Sequence, residues 1–202
     1  MPVTEEGITM STAQPHVRRA VHPSVLVESD VVVRASARRW LAATRLALGF
    51  VFLWAFLDKL FGLHYATGAL VDGTRLGEAW VSGGSPTAGF LAGATGPFAG
   101  FFGWLNPGVA DWLFMLALLG VGVGLLTGAG VYLSAGVGTL LLVLMWLAVW
   151  PPQQGSNNPV VDDHVVYALV LITLAVTRAG DTWGVGRRWA ETRAVRRWPV
   201  LR

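Results

Sequence analysis

The chain has 202 residues, of which 53% are hydrophobic and only 13% are charged, with a formal net charge of +3. This composition argues against an ordinary soluble domain and indicates an integral membrane protein. There is no cysteine, which excludes disulfides, cysteine-ligated clusters and covalently attached c-type haem within this chain. The arginines lie beside apolar runs, where they favour contact with anionic lipid head groups, so nucleic acid is not expected as a partner.

The first part of the chain predicts a polar tail followed by a membrane helix. Residues 1–38 are polar and lack the apolar centre of a signal peptide, so we expect a flexible cytoplasmic tail. Residues 40–63 form an apolar run, and about 20 such residues suffice to cross the roughly 30 Å hydrocarbon core. This predicted first helix carries Arg45 near its start and Asp58 and Lys59 near its end.

The next segment, residues 64–110, does not fit a straight spanning helix. It is rich in glycine and is interrupted by Pro86, Pro97 and Pro107. Its apolar parts are nevertheless hydrophobic enough to touch lipid. We therefore expect a re-entrant or interfacial segment on the outer side, and residues 80–104 are a candidate lid.

Three further apolar runs complete the predicted bundle. They cover residues 111–127, 131–150 and 159–177, and the first two are joined by a short turn. The sequence therefore predicts an all-α membrane protein: a bundle of four transmembrane helices over residues 39–178. A basic cytoplasmic tail is expected at residues 179–202.

Glycines in the second and third runs predict close helix packing. Gly120, Gly124 and Gly128 recur every four residues and share one helix face, which lets another backbone approach. Gly136 places a further small residue on the neighbouring helix. We interpret these glycines as packing residues.

The positive charges predict the orientation, because Lys and Arg are retained on the cytoplasmic side of a membrane. Six arginines occur up to residue 45 and seven occur from residue 178 onwards, whereas only Lys59 and Arg75 lie between them. Both termini are therefore expected in the cytoplasm of a multi-pass plasma-membrane protein. Two ends on one side require an even number of crossings, which agrees with four.

Charged side chains within or at the rim of a membrane bundle often mark a site. Four crossings would bring Asp58 and Lys59, at the outer end of the first helix, to the same leaflet as Asp162, Asp163 and His164. Neighbouring residues are about 100° apart on a helix, so we expect Asp58 to face inward while Lys59 extends to the head groups. A solvated helix end is the alternative interpretation for these residues.

The start of the fourth helix has its own signature. Asn158 followed by Pro159 predicts a cap and a first helical position, and Asp162 complements the helix dipole. Asp163 and His164 exceed what a cap requires. An imidazole beside a carboxylate can bind a quinone carbonyl, relay a proton, or ligate a metal or haem.

Haem is disfavoured as a cofactor, and no metal site is assigned. His64 is the only other histidine near the membrane, and it lies at the same rim as His164. Axial haem ligands normally lie deeper, on two facing helices. Most tryptophans fit an aromatic belt at the membrane interface, but Trp54 lies one turn before Asp58 and could line the same cavity.

Four segments in order resemble the DoxX/DoxD-like membrane protein family, which includes the membrane subunit of thiosulfate:quinone oxidoreductase. They are RLALGFVFLWAFLDKLFG, WVSGGSPTAGFL, GPFAGFFGWL and NNPVVDDHVVYALVL, and the resemblance covers about residues 40–190. It implies the four-helix fold and a redox role at a quinone. The positions it carries over are Asp58, Lys59, Asp163 and His164. Because cysteine is absent, any sulfur-carrier step would need a partner chain.

The leading hypothesis is the membrane part of a quinone-linked redox system, with a pocket at the extracytoplasmic end of the bundle. Asp58, Asp163 and His164 are its candidate catalytic residues, and Trp54 and Lys59, with His164, would bind the quinone. The alternative is a non-catalytic anchor or assembly subunit for partner oxidoreductases, acting with a partner redox subunit or as a homo-oligomer. A small-solute pathway ranks last, because the inner halves of the helices offer no continuous polar stripe.

Overall fold

A computed structural model describes residues 31–72, 74–75, 77–153 and 158–202. These residues are mostly helical. The helices and strands, in chain order, are α1 (Ala35–Phe61), β1 (Leu70–Val71), β2 (Thr74–Arg75), α2 (Ala88–Ala92), α3 (Ala99–Trp104), α4 (Pro107–Thr127), α5 (Val131–Val149), α6 (Asp163–Val176), α7 (Gly186–Ala190) and α8 (Arg193–Arg197). The predicted N-terminal tail lies outside the described residues as far as residue 30.

Three helices are long and apolar enough to cross a membrane. They are α1, α4 and α5, with 27, 21 and 19 residues. Helix α6 has 14 residues, which at 1.5 Å per residue is about 21 Å of helix, shorter than a hydrocarbon core of roughly 30 Å. These three helices fit the predicted membrane class and three of the four predicted runs, and a fourth crossing stays a prediction.

One apolar core is shared by α1, α4, α5 and α6. Helix α1 packs along α4, α4 packs on α5, and α5 packs on α6. The buried apolar side chains of this core are Leu48, Phe52, Met115, Leu118, Val121, Leu125, Val131, Ala135, Leu142, Ala168, Leu171, Leu174, Ala175 and Ala179. Every one of these four helices contributes to it, so α6 belongs to the bundle although it is short.

Glycines bring α1 and α4 into close antiparallel contact. A Cβ built on Gly49 would lie 2.9 Å from Cβ of Leu125, and one built on Gly122 would lie 2.8 Å from the backbone nitrogen of Leu53. Real side chains do not approach so closely, so both positions require glycine. Gly49 meets Leu125 and the later Leu53 meets the earlier Gly122, and this reversed order shows that the two helices are antiparallel.

The predicted glycine face is only half correct. Gly124 packs directly against Ser134 of α5, and Gly128 ends α4 with a φ of 78°, a left-handed conformation that favours glycine. Gly120 and Gly136, in contrast, have no atom within 4 Å of a built Cβ. The expectation that these two pack against another helix was wrong within the described residues, because periodicity defines a face but not its neighbour.

We expect Gly122→Ala to destabilise the protein and Gly120→Ala to leave its stability nearly unchanged. The added methyl at position 122 meets the α1 backbone, and such overpacking costs about 1–3 kcal/mol. Position 120 is on the same helix but open, and alanine has the better helix propensity. Thermal unfolding in detergent measures both. Equal melting temperatures for the two variants would contradict the close α1–α4 contact.

The start of the fourth helix differs from the prediction. Helix α6 begins at Asp163, and its cap is Asp162, whose carboxylate accepts from the backbone N–H of Val165 at 3.2 Å. Asn158 instead accepts the backbone N–H groups of two residues just after it, at 2.9 Å each. The predicted cap at Asn158 and helix start at residue 159 were therefore wrong, because the Asn158 side chain closes a local turn.

Candidate functional site

The bundle has a loop end and a turn end. At the loop end, α1 and α5 end while α4 and α6 begin, and residues 62–106 cover it. At the turn end, α1 begins, residues 128–130 join α4 to α5, and α6 ends. The residues predicted to carry chemistry lie at the loop end.

Asp58 holds the loop that follows α1. It is only 2% exposed, and its carboxylate accepts from the backbone N–H groups of Tyr65, Ala66 and Thr67 at 3.2, 3.0 and 2.9 Å. The expected inward direction of Asp58 agrees with this burial. Because both oxygens already accept amide hydrogens, the carboxylate has a clear structural role in shaping the loop.

Trp54 and Lys59 lie beside this loop. The Trp54 ring meets the Tyr65 ring edge-to-face, with centroids 5.1 Å apart. Lys59 is half-buried and has no hydrogen bond or ion pair within the part of the chain that the structure describes. Trp54 therefore packs on the loop that Asp58 holds.

A second buried carboxylate, Asp111 in the first turns of α4, holds the middle of the loop. Its Oδ1 accepts from the hydroxyl of Ser85 at 3.0 Å, and from the backbone N–H and hydroxyl of Thr87 at 2.8 and 2.6 Å. Sequence reasoning treated Asp111 only as the start of an apolar run. The available signal was an acidic residue in that run together with an upstream Ser-Pro-Thr turn.

The start of α6 carries an imidazole–carboxylate pair. His164 Nδ1 lies 2.8 Å from Oδ2 of Asp162 and 3.5 Å from Oδ1 of Asp163. The His164 side chain is 16% exposed, whereas that of Asp163 is 70% exposed. Ligand atoms of these three residues lie within 4.8 Å of one another, close enough to share a cation.

The environment of Asp162 favours its ionised form. Burial alone would raise its pKa. Hydrogen bonds from the His164 ring and the Val165 amide lower the pKa by more, so it lies below its ordinary value. An ionised Asp162 holds the Nδ1–H tautomer or the protonated form of His164. The contact therefore orients the His164 ring through its Nδ1 atom.

The position of His164 on α6 directs it towards the bundle. Ala168 and Leu171 follow it by four and seven residues, share its helix face and are buried in the core. Nε2 of His164 makes no hydrogen bond to any described residue. His164 is thus half-buried and lies on the face of α6 that packs into the core.

Asp58, His64 and His164 each have their own hydrogen-bond partners. Within the described ranges, Asp58 and His164 share no hydrogen bond or ion pair. His64 bonds locally, with Nδ1 2.7 Å from the carbonyl oxygen of Gly68. The loop end therefore holds two separately built groups: the Asp58 loop and the His164–Asp162 pair.

Sequence reasoning missed a buried cation at the turn end. Arg45 is fully buried, and its guanidinium donates to the backbone carbonyls of Leu125 and Leu126 at the end of α4. It also donates to the carbonyls of Thr182 and Trp183 at 3.3 and 3.0 Å. From the sequence, Arg45 was interpreted only as a flanking charge. No local pattern indicates hydrogen-bond partners about 80 and 137 residues away.

No family model, no curated protein and no solved structure matches this chain. The resemblance to the DoxX/DoxD-like family therefore stays a prediction from the four sequence segments.

Asp162→Asn is expected to lower stability at neutral pH by about 1 kcal/mol, the scale of a partly exposed ion pair. Because folding lowers the pKa of Asp162, its contribution is present above the unfolded-state pKa of about 3.9 and disappears as pH falls through the lower folded-state value. The gap between wild type and variant should therefore close in acid. Thermal unfolding in detergent from pH 7 to pH 3 measures this difference in stability, and Asp163→Asn is the exposed control. A difference between wild type and Asp162→Asn that widens in acid would contradict this assignment.

Proposed function

We propose that the chain is the membrane component of a quinone-linked redox system, with its site at the loop end. The observation that supports it best is the half-buried His164, whose Nδ1 lies 2.8 Å from Asp162 Oδ2. A histidine with one nitrogen oriented by a carboxylate is suited to donate from the other nitrogen. The resemblance to the DoxX/DoxD-like family points to the same chemistry.

In this proposal, Nε2–H of His164 donates a hydrogen bond to one carbonyl oxygen of the quinone. Reduction of the quinone substrate to the quinol would take two electrons and two protons. A partner redox subunit would supply both electrons, His164 would transfer one proton to the carbonyl oxygen that it binds, and water would supply the second proton to the other carbonyl oxygen. Asp162 stabilises the imidazolium. The exposed Asp163 returns a proton from water.

The other predicted residues bind or position the quinone. The half-buried ammonium of Lys59 is suited to the second carbonyl, and the Trp54 ring to one face of the head group. Asp58 acts as a positioning residue, because its oxygens are already occupied by three backbone N–H groups. Its effect on quinone binding passes through the loop.

Quinone binding by the purified full chain tests the proposal. We expect His164→Gln to weaken binding of a water-soluble ubiquinone analogue at least about 10-fold, equivalent to about 1.4 kcal/mol. His64→Gln is the matched control, since His64 lies at the same end and, among the described residues, its ring bonds to the Gly68 carbonyl in its own turn. Unchanged affinity in His164→Gln would remove His164 from the site, and absence of quinone binding by the wild type would reject the proposal.

The second candidate function is a non-catalytic anchor or assembly subunit for partner oxidoreductases. One observation favours it: the buried charged residues of the described chain, Arg45, Asp58 and Asp111, are all engaged by backbone or hydroxyl groups. Affinity purification in mild detergent separates the two. The anchor would be favoured if an oxidoreductase partner co-purifies in stoichiometric amount and its quinone-coupled activity is unaffected by His164→Gln. Recovery of this chain alone would count against the anchor.

A further inference from the structure

The residues after α6 fold back over the turn end. The backbone N–H of Val185 donates to the carbonyl of Thr127 at 2.9 Å, and Arg45 donates to the carbonyls of Thr182 and Trp183. The predicted basic tail is therefore a docked segment with a defined position on the bundle.

The segment is also held together internally. Arg202 Nη2 lies 3.1 Å from Asp181 Oδ2, and Trp189 Nε1 donates to the carbonyl of Leu201 at 2.6 Å. Val195 of α8 is buried. These contacts fix α7 and α8 with one side packed inward and the other side outward.

The outward side is strongly basic. Residues 179–202 contain six arginines and two carboxylates, and one of these carboxylates, Asp181, is already paired with Arg202. Five arginines of α7 and α8 are exposed. Arg187 has a further interaction of its own, and the other four are Arg188, Arg193, Arg196 and Arg197. The folded segment thus presents positive charge that its own acidic residues do not neutralise.

Exposed tryptophans accompany these arginines. Trp183 is 59% exposed and Trp198 is 60% exposed, although both belong to a packed segment. Tryptophan is favoured at the boundary between hydrocarbon and head groups, because its ring is apolar and its N–H is polar. Arginines beside such rings, at one end of an apolar bundle, are positioned at the depth of phosphate groups.

We propose that this surface binds the head groups of anionic phospholipids in the leaflet at the turn end. The surface, called the basic collar, comprises Trp183, Arg188, Arg193, Arg196, Arg197 and Trp198. The collar fits a phosphate-rich, negatively charged layer by charge, by its aromatic rings and by its place at the end of the spanning helices. This lipid binding goes beyond the proposed redox function and does not depend on that function.

Lipid selectivity of the full chain in detergent tests the collar. The probes are phosphatidylglycerol and phosphatidylcholine with identical acyl chains, and native mass spectrometry counts the lipids bound. We expect the wild type to bind phosphatidylglycerol at least about 10-fold more tightly than phosphatidylcholine, a preference that weakens with added salt. Equal binding of the two lipids by the wild type would overturn the proposal. An acidic protein would then be the alternative ligand of the collar.

Two quadruple variants locate the effect. The first variant combines Arg188→Gln, Arg193→Gln, Arg196→Gln and Arg197→Gln, and it should lose the preference for phosphatidylglycerol. The second variant has Arg→Lys at the same four positions. It should keep most of the preference, because the charge is kept. The four side chains are exposed, so both variants should unfold at the wild-type temperature in phosphatidylcholine. A glutamine variant that keeps the wild-type preference would overturn the proposal.

Discussion

Replacing Arg45 by methionine should destabilise the protein by about 3 kcal/mol, because one buried and three part-buried backbone carbonyls would lose their donor at once. Two of them, Leu125 and Leu126, lie at the end of α4, where helix carbonyls have no partner within the helix and a cation is favoured. The other two belong to Thr182 and Trp183. Arg45 therefore joins three parts of the chain, and its loss should also release the docked C-terminal segment.

Thermal unfolding in detergent and limited trypsin digestion together measure this effect. Arg45→Met should unfold at a lower temperature and be cleaved faster within α7 and α8. Arg39→Met is the control, because Arg39 is exposed on the same helix and such a change should stay within about 0.5 kcal/mol. Wild-type stability and trypsin resistance in Arg45→Met would contradict the assigned role.

Asp58→Asn should cost about 2 kcal/mol and loosen the loop after α1. The carboxylate accepts three backbone N–H groups, whereas an asparagine has one acceptor oxygen and presents an NH₂ group that repels amide hydrogens. The Trp54–Tyr65 ring contact should be lost with the loop. Trp54 fluorescence would then shift as the ring becomes more accessible.

Hydrogen exchange at residues 65–67 measures the Asp58 effect directly. We expect these amides to exchange faster in Asp58→Asn, while the core of α4 exchanges as in the wild type. Asp163→Asn is the matched control, because it makes the same chemical change at a carboxylate that is 70% exposed. Unchanged protection at residues 65–67 would show that Asp58 does not hold the loop.

The sequence predicted the membrane class and α1, α4 and α5 because the length of an apolar run is a local property. Two Asn-Pro pairs show where local patterns fail. Asn106 caps α4, accepting from the backbone N–H groups of Gly108 and Val109, whereas Asn158 closes a turn and leaves the cap of α6 to Asp162. The same dipeptide thus has two outcomes, because a better-placed capping residue follows only the second.

The candidate residues lie at one end of the bundle, as the order of the helices predicts, and their joint site stays a prediction. Helix direction places Asp58 and His164 at the loop end, and the sequence indicates that direction. Their hydrogen-bond partners depend on how the loop folds, so the engagement of Asp58 by residues 65–67 was not foreseen. Asp111 and Arg45 were missed for the same reason, since their partners are distant in sequence.

The placement of the loop end and the turn end on opposite sides of a membrane is tested by single-cysteine labelling. The chain has no native cysteine, so Ser82→Cys at the loop end and Ala194→Cys in α8 each introduce one exposed target. We predict that an impermeant maleimide labels only Ser82→Cys in right-side-out vesicles and only Ala194→Cys in inverted ones. Labelling of both from the same side would contradict the opposed ends, and with them both the His164 site and the basic collar.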